Sequence, residues 1–371
     1  MNYKLSILFV TSGDIEKNAT IKRAVGISKH LSTMNFKVHI LALDSIGNKE
    51  RFDYEELDHV CIHYFKSFNS LKELFYKVSF LRNNKFDIVY VTSPSLRNSI
   101  IYFKLFLNKS KYLVEYSELA SSIKSHKFYR RCFLYFLEFS SSIFYDGFIA
   151  ASKYLYDHYK KKISSDLILY LPYAYPHNFI ERIKNNQPIK NDNLNIFYMG
   201  TIIENYGFKD IIKLASFIKA SNLKIKISVL GGGKNLNDAK SLIKKNNLKD
   251  VIEMFGYVPE KNVFTHCNNA DIFICPLNDT IQDWARCPSK IYYYLPFKKP
   301  IITSKVGEPI QIFGENGIYY KIGDIESLYN QIIELSKSDY ENFPNPLLHS
   351  WLHRTNEFVE WIDLKFKIYE N

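Results

Sequence analysis

Short apolar runs alternate with stretches of helical spacing from the start of the chain. "KLSILFV" is closed by the polar "TSGD". "IKRAVGISKHLSTMNF" then repeats apolar residues at Ile21, Val25, Ile27 and Leu31, the spacing of a helix face, before "KVHILAL" resumes as a strand. Strand, helix, strand at this interval predicts a βαβ unit and with it a parallel sheet. The rhythm returns in "FDIVYVTS" with a helix behind it, in "KYLVEYS", and in "DGFIAAS" followed by "KYLYDHYKKK". The first half therefore reads as one doubly wound α/β domain.

Around residues 184–195 the pattern lapses into "KNNQPIKNDNLN", polar and aperiodic, which predicts a linker. The alternation then restarts: strand "NIFYMG", helix "FKDIIKLASFIKAS", strand "KIKISVLGGG", helix "NDAKSLIKKNNL", and further strands "VIEMFGYV", "ADIFICPL" and "KPIITSK". Two successive Rossmann-like domains follow, over 1–185 and 192–346. Residues 347–371 carry an amphipathic helical pattern with Leu348, Trp351, Leu352, Phe358, Trp361 and Phe366 available for packing. It is either the last core helix or a helix returning to the first domain.

A chain of 371 residues exceeds what one core supports, in keeping with two domains. Its composition, 46% hydrophobic and 23% charged, excludes a disordered chain. The net charge of +11 and the pI near 9.1 point to phosphates, anionic lipid or nucleic acid as partners without choosing among them. Five scattered cysteines without a C-x-x-C pair suggest neither a disulfide framework nor a zinc site, and a reducing cytoplasm suits them. The longest apolar stretch, "CFLYFLEFSSSIFYDGFIAA", is interrupted by Glu138 and Asp146, so no spanning segment is expected. Just before it, Lys124, Lys127, Arg130 and Arg131 lie beside Phe128, Phe133, Leu134 and Phe136. That segment is either a core-packed helix with a basic end or a membrane-surface helix.

Ligands of open α/β sheets bind beyond the carboxyl ends of the strands, where loops and helix starts supply N–H donors. In the second half this singles out Gly200 with Thr201, the run Gly231, Gly232 and Gly233, Tyr257 after "VIEMFG", and the corner Cys287–Pro288–Ser289–Lys290. Pro288 is expected as the first residue of a helix, which puts Lys290 in the first turn, where a cation opposes the dipole unless an anion binds nearby. With Arg286 it forms a pair suited to a diphosphate. Glu308, after Gly307, either bonds a sugar hydroxyl or caps the turn before Pro309. No G-x-G-x-x-G or Walker sequence is present, which counts against a dehydrogenase or kinase. In the first half the candidates are Gly13 and Asp14, Ser93, Glu115 and Glu118, the last as a catalytic acid or base; His126 shows no partner in sequence.

The second half resembles the donor domain of GT-B glycosyltransferases of the large retaining family four. "NIFYMGTIIENYGFKDIIKLA", "KISVLGGG", "DVIEMFGYVPEKNVFTHCNNADIFICPL", "KKPIITSKVGEP" and "ENGIYYKIGDIESLYNQIIEL" are similar to its successive blocks, in order, over about residues 195–335. The resemblance implies two Rossmann-like domains facing across a cleft, a final helix crossing back to the first, and sugar transfer from a nucleotide-sugar donor with retention and no required metal or other cofactor. The acceptor would be a glycan or lipid-linked molecule, the setting a cytoplasmic one with a peripheral contact to anionic membrane, and nucleic acid is not expected as a partner. Two departures stand out. Thr201 and Tyr206 occupy the places of a basic pair, and Ala285 and Tyr293 those of two glutamates separated by seven residues, so Arg286 and Lys290 are expected to take over the phosphate, as in relatives with an R-x-P-x-K corner. The missing glutamates keep a catalytically silent partner subunit open as an alternative; a nucleotide-sugar 2-epimerase would need clustered carboxylates and histidines that the sequence does not show.

Overall fold

The computed structural model describes residues 5–16, 18–123, 126–176, 178–189, 192–202, 207–221, 223–337 and 340–367. The chain forms two compact units: Met1–Pro176 with Ala285–Cys287 and Ser350–Asn371, and His177–Trp284 with Pro288–His349.

The first unit is built on seven parallel strands, β1 (Leu5–Val10), β2 (Phe36–Leu43), β3 (Val60–Phe65), β4 (Ile88–Val91), β5 (Lys111–Tyr116), β6 (Gly147–Ala150) and β7 (Ile168–Tyr170). They run in the order β3-β2-β1-β4-β5-β6-β7. The central strand β1 pairs Ile7 with Val38 on one side and Ile88 on the other. Its last four residues are buried on both faces, which is why it reads as a continuous apolar run rather than an alternating one. The second unit repeats the plan with six parallel strands, β8 (Leu194–Met199), β9 (Ile225–Leu230), β10 (Ile252–Gly256), β11 (Ile272–Cys275), β12 (Ile301–Ser304) and β13 (Ile318–Tyr320), in the order β10-β9-β8-β11-β12-β13. In each unit the order reverses direction at the first strand, so its carboxyl end opens a crevice between diverging crossovers.

The periodicity missed β3, β7 and β13, which lie at or near sheet edges and have partly exposed, irregular burial. The segment behind β4, expected as an ordinary helix, is instead a 3₁₀ stretch, Leu96–Phe106, broken at Ser99. The boundary also differs from the expected one. Phe179–Asn185 belongs to the second unit, where the Phe179 ring meets Phe264 at 5.6 Å and Tyr293 at 4.8 Å. The polar run at 184–195 therefore lies within the second unit rather than between the two.

The final helix, Trp351–Phe366, packs in the first unit, capped by the Ser350 hydroxyl, which accepts from the His353 amide at 3.2 Å. Its Trp351 amide donates to Tyr175 O at 3.1 Å, and its indole covers Gly26, where any Cβ would overlap the ring. Phe358 and Ile362 are fully buried, whereas Leu348, offered for packing by its spacing, lies ahead of the helix and is exposed.

Candidate functional site

Of three adjacent strands of the second unit, β8 and β9 are each followed by glycine and β10 ends in one, and the ends are stitched together. Gly200 N–H donates to Leu230 O at 2.9 Å, Gly231 N–H to Gly256 O at 2.7 Å, and Ile202 N–H to Gly232 O at 2.8 Å. A Cβ at Gly231 would overlap Gly200 O and one at Gly233 would overlap Ile202 O, so the backbones approach as only glycine allows. Thr201, at the rim, is exposed. Tyr257, one residue past Gly256, is also exposed at this edge.

Lys290 enters this cradle from ninety residues away in sequence. Its Nζ lies 2.7 Å from where a Gly200 Cβ would stand and 4.1 Å over the Tyr198 ring. The side chain is half-buried, and among the described residues no carboxylate pairs with it. Pro288 is the cap residue of the short helix Ser289–Tyr294 rather than its first residue, so Lys290 is the second helical residue, within the first turn. Pro288 is buried and Ser289 half-buried. Nearby, Gly307 has φ +65° and stands where a Cβ would come 2.8 Å from Asp283 O. Glu308, fully buried, accepts from the Tyr292 hydroxyl at 2.8 Å. Its carboxylate is thus already engaged inside the unit.

The compact units part between Cys287 and Pro288, so Arg286 goes with the first unit and Lys290 with the second. In the first unit Arg286 stands near Glu118, drawing its carboxyl down while burial, the larger effect, pushes it up. Glu118 follows β5 and precedes the turn Ala120–Ser122, which is fastened from outside: Glu138 accepts from Ser121 N–H at 3.1 Å and from its hydroxyl at 2.6 Å, and Arg131 Nε donates to Ser121 O at 2.9 Å. His126 is half-buried, with its imidazole pushed down by burial and by Arg130 and Arg131.

Below the β1 loop lies a buried polar cluster that sequence reasoning missed. Lys77 Nζ donates to Thr11 O at 2.8 Å, and its bonds to the Ser12 hydroxyl, Glu73 Oε1 and Asn98 Oδ1 are each 2.7 Å. Arg97 reaches the other oxygen of Glu73 at 2.9 Å, and Asn98 donates to Ser93 O at 3.1 Å. Burial pushes the Lys77 ammonium down to about 8 against the pull of Glu73. Gly13, at φ +79°, turns the loop above this cluster, and Asp14 is occupied within it by the Ser45 hydroxyl and the Glu16 amide. The Glu73–Lys77 spacing of four was the available signal, but the same spacing is usual on solvated helix faces.

Glu115 also proves internal. It accepts from Arg23 Nε at 2.9 Å and from the Tyr90 hydroxyl at 3.1 Å, while the Arg23 guanidinium bonds the Leu171 and Pro172 carbonyls and lies 4.6 Å from the Tyr173 ring centroid. Both charged groups are fully buried, so this pair holds a helix, two strands and the segment after β7 together.

Against known structures, the whole chain superposes on a glycosyltransferase from Rickettsia africae with a TM-score of 0.75 at 15% identity, each chain covered in full. This is the GT-B glycosyltransferase fold. HepE of Anabaena, solved with UDP and glucose, matches with a TM-score of 0.68 at 13% identity over 99% of this chain and 97% of its own. Within the GT-B frame, residues 179–347 match the family model of glycosyl transferases group 1. A Salmonella typhimurium protein named as a colanic acid biosynthesis glycosyltransferase, WcaL, is 25% identical over 170 residues. That stretch is 45% of this chain and 40% of the relative, so less than half of that protein's length is matched. At the two positions where the sequence resemblance led to an expectation of glutamate, Ala285 is fully buried in the first unit's core, and Tyr293 is buried with its hydroxyl on Glu260. Tyr206 lies outside the described residues.

Proposed function

We propose that the chain is a glycosyltransferase that moves a sugar from a nucleotide-sugar donor to a glycan or lipid-linked acceptor, with retention, in the building of a surface polysaccharide or glycoconjugate at the cytoplasmic face of a membrane. The observation that carries the reading is Lys290: a half-buried ammonium, with no carboxylate partner among the described residues, held over a glycine cradle at the carboxyl ends of β8, β9 and β10. A partly desolvated cation in such a place is favoured by an anion, and a diphosphate brings both the charge and a shape that glycine backbones admit. In this reading Lys290 neutralises the leaving diphosphate, the largest electrostatic demand of the transfer. Glu118, raised by burial and beside Arg286, faces the acceptor hydroxyl. The UDP-glucose bound in HepE and the polysaccharide named for WcaL support the donor and product classes.

Buried Ala285 and Tyr293, in place of glutamates, favour a second reading, a silent subunit that retains the fold without turnover. The test is a thermal-shift screen against UDP, GDP, CMP, dTDP and their sugars, repeated with Lys290→Ala and Arg286→Ala, with release of nucleoside diphosphate measured in parallel. A shift that Lys290→Ala abolishes, together with turnover, supports the transferase; a shift without turnover on any acceptor supports the silent subunit. No shift with any nucleotide would overturn the donor site itself.

A further inference from the structure

The helix Phe128–Phe144 is inside out. Its buried face carries Glu138, Ser140 and Ser141 beside Leu137, while Phe128, Phe133, Tyr135, Phe136, Phe139 and Ile143 face outward. Phe128 is 79% exposed, whereas Glu138 is 7% exposed. A surface helix of a globular unit normally turns its apolar stripe inward, so this one is patterned for an apolar medium outside the protein.

The surface continues onto its neighbours. The 3₁₀ stretch Leu96–Phe106 exposes Leu105 at 95% and Phe106 at 73%, and the helix Ser70–Asn83 exposes Leu71 and Phe75. Ring contacts join the three elements, Tyr102 to Phe144 at 5.7 Å and Phe75 to Phe103 at 6.0 Å. An apolar expanse of this extent marks an interaction face.

Charge decides what covers it. The only acidic residues in these three elements are Glu73 and Glu138, and both are buried, Glu73 against Lys77 and Glu138 against Ser121. Lys72, Lys127 and Arg130 are exposed at or beside the aromatic face. A second copy of the chain would set these cations against the same cations with no carboxylate to answer them. An anionic bilayer answers both features at once, the aromatic side chains entering the interfacial layer and the basic ones meeting the headgroups.

We propose that this face of the first unit docks the protein on an anionic lipid surface. The inference does not rest on the transferase reading. The test is co-sedimentation of the full chain with vesicles of phosphatidylcholine alone and of phosphatidylcholine with phosphatidylglycerol. Binding is expected to the anionic vesicles, weakened about tenfold or more by Arg130→Glu and by the pair Phe136→Ser with Phe139→Ser, and unchanged by Phe217→Ser on the second unit. Brominated lipid should quench a Phe136→Trp variant. Circular dichroism and the nucleotide thermal shift report whether the variants are folded and whether the donor site survives independently. Absence of binding by folded protein, binding indifferent to both patch variants, or a dimer in light scattering that these variants dissolve would each overturn the proposal.

Discussion

The two units share a strand order, yet they build the loop after their central strand by opposite means. In the first, the β1 loop rests on side chains: the buried Lys77 ammonium gathers Thr11 O, Ser12, Glu73 and Asn98 beneath Gly13. In the second, the β8 loop rests on backbone, with Gly200, Gly231 and Gly233 packed so closely that a Cβ has no room. A side-chain network fixes a loop from below and keeps the crevice floor polar. A glycine cradle brings backbones close without side chains in the way, and Lys290 leans over it. The same topology thus carries an open glycine cradle in one unit and a rigid polar platform in the other.

If that contrast is right, the largest effect belongs to Lys77→Met. It leaves Glu73 in the core with the Arg97 guanidinium and the Ser12 hydroxyl but without its buried cation, and should cost about 3–5 kcal/mol of the first unit's stability in urea unfolding. A loss under 1 kcal/mol would show the cluster to be incidental. Gly231→Ala should cost about 3 kcal/mol in the second unit and abolish any nucleotide-induced shift, since Gly200 must move to admit the methyl.

Gly13→Ala is the matched control. Nothing lies within 4 Å of the added Cβ, so only the backbone penalty at φ +79° remains, about 1 kcal/mol.

The contrast also predicts a difference in acid response. His39 and His63 share a 2.9 Å contact on adjacent strands of the first unit, and burial, then the neighbouring imidazole, pushes His39 down to about 4. The folded state therefore binds fewer protons than the unfolded chain between pH about 4 and about 6.5, and its stability rises with pH across that window. His63→Gln should flatten this slope; an unchanged slope would remove the pair from the account. Smallest of all, Lys290→Ala should leave stability within about 0.5 kcal/mol while erasing nucleotide binding, because a half-buried cation with no carboxylate partner among the described residues contributes to ligand capture rather than to the fold.

Much of the fold was legible because alternation is a local property. Buried parallel strands are apolar throughout, and those of the two sheet centres announced themselves. Strands β3, β7 and β13 did not, since edge positions relax that demand. Of the candidate site, the glycines were legible through their place at strand ends, but Gly256, completing the row, was passed over although it closes "VIEMFG" in the same way. Glu115 stood among the site candidates and Glu308 was read as bonding a sugar hydroxyl or capping the turn before Pro309; both are buried on internal partners.

The alternation of the central strands with helices, the two-unit plan, the glycine positions and the presence of a cation at 290 follow from the sequence alone, because each depends on residues near one another along the chain. Which charges face inward does not. Lys77 and Glu138 sit in segments rich in exposed aromatics, and only the packing of whole elements turns those charges inside and the rings outside. Periodicity reveals that a helix has two faces; which one the protein covers depends on partners distant in sequence, as does the meeting of Lys290 with Gly200.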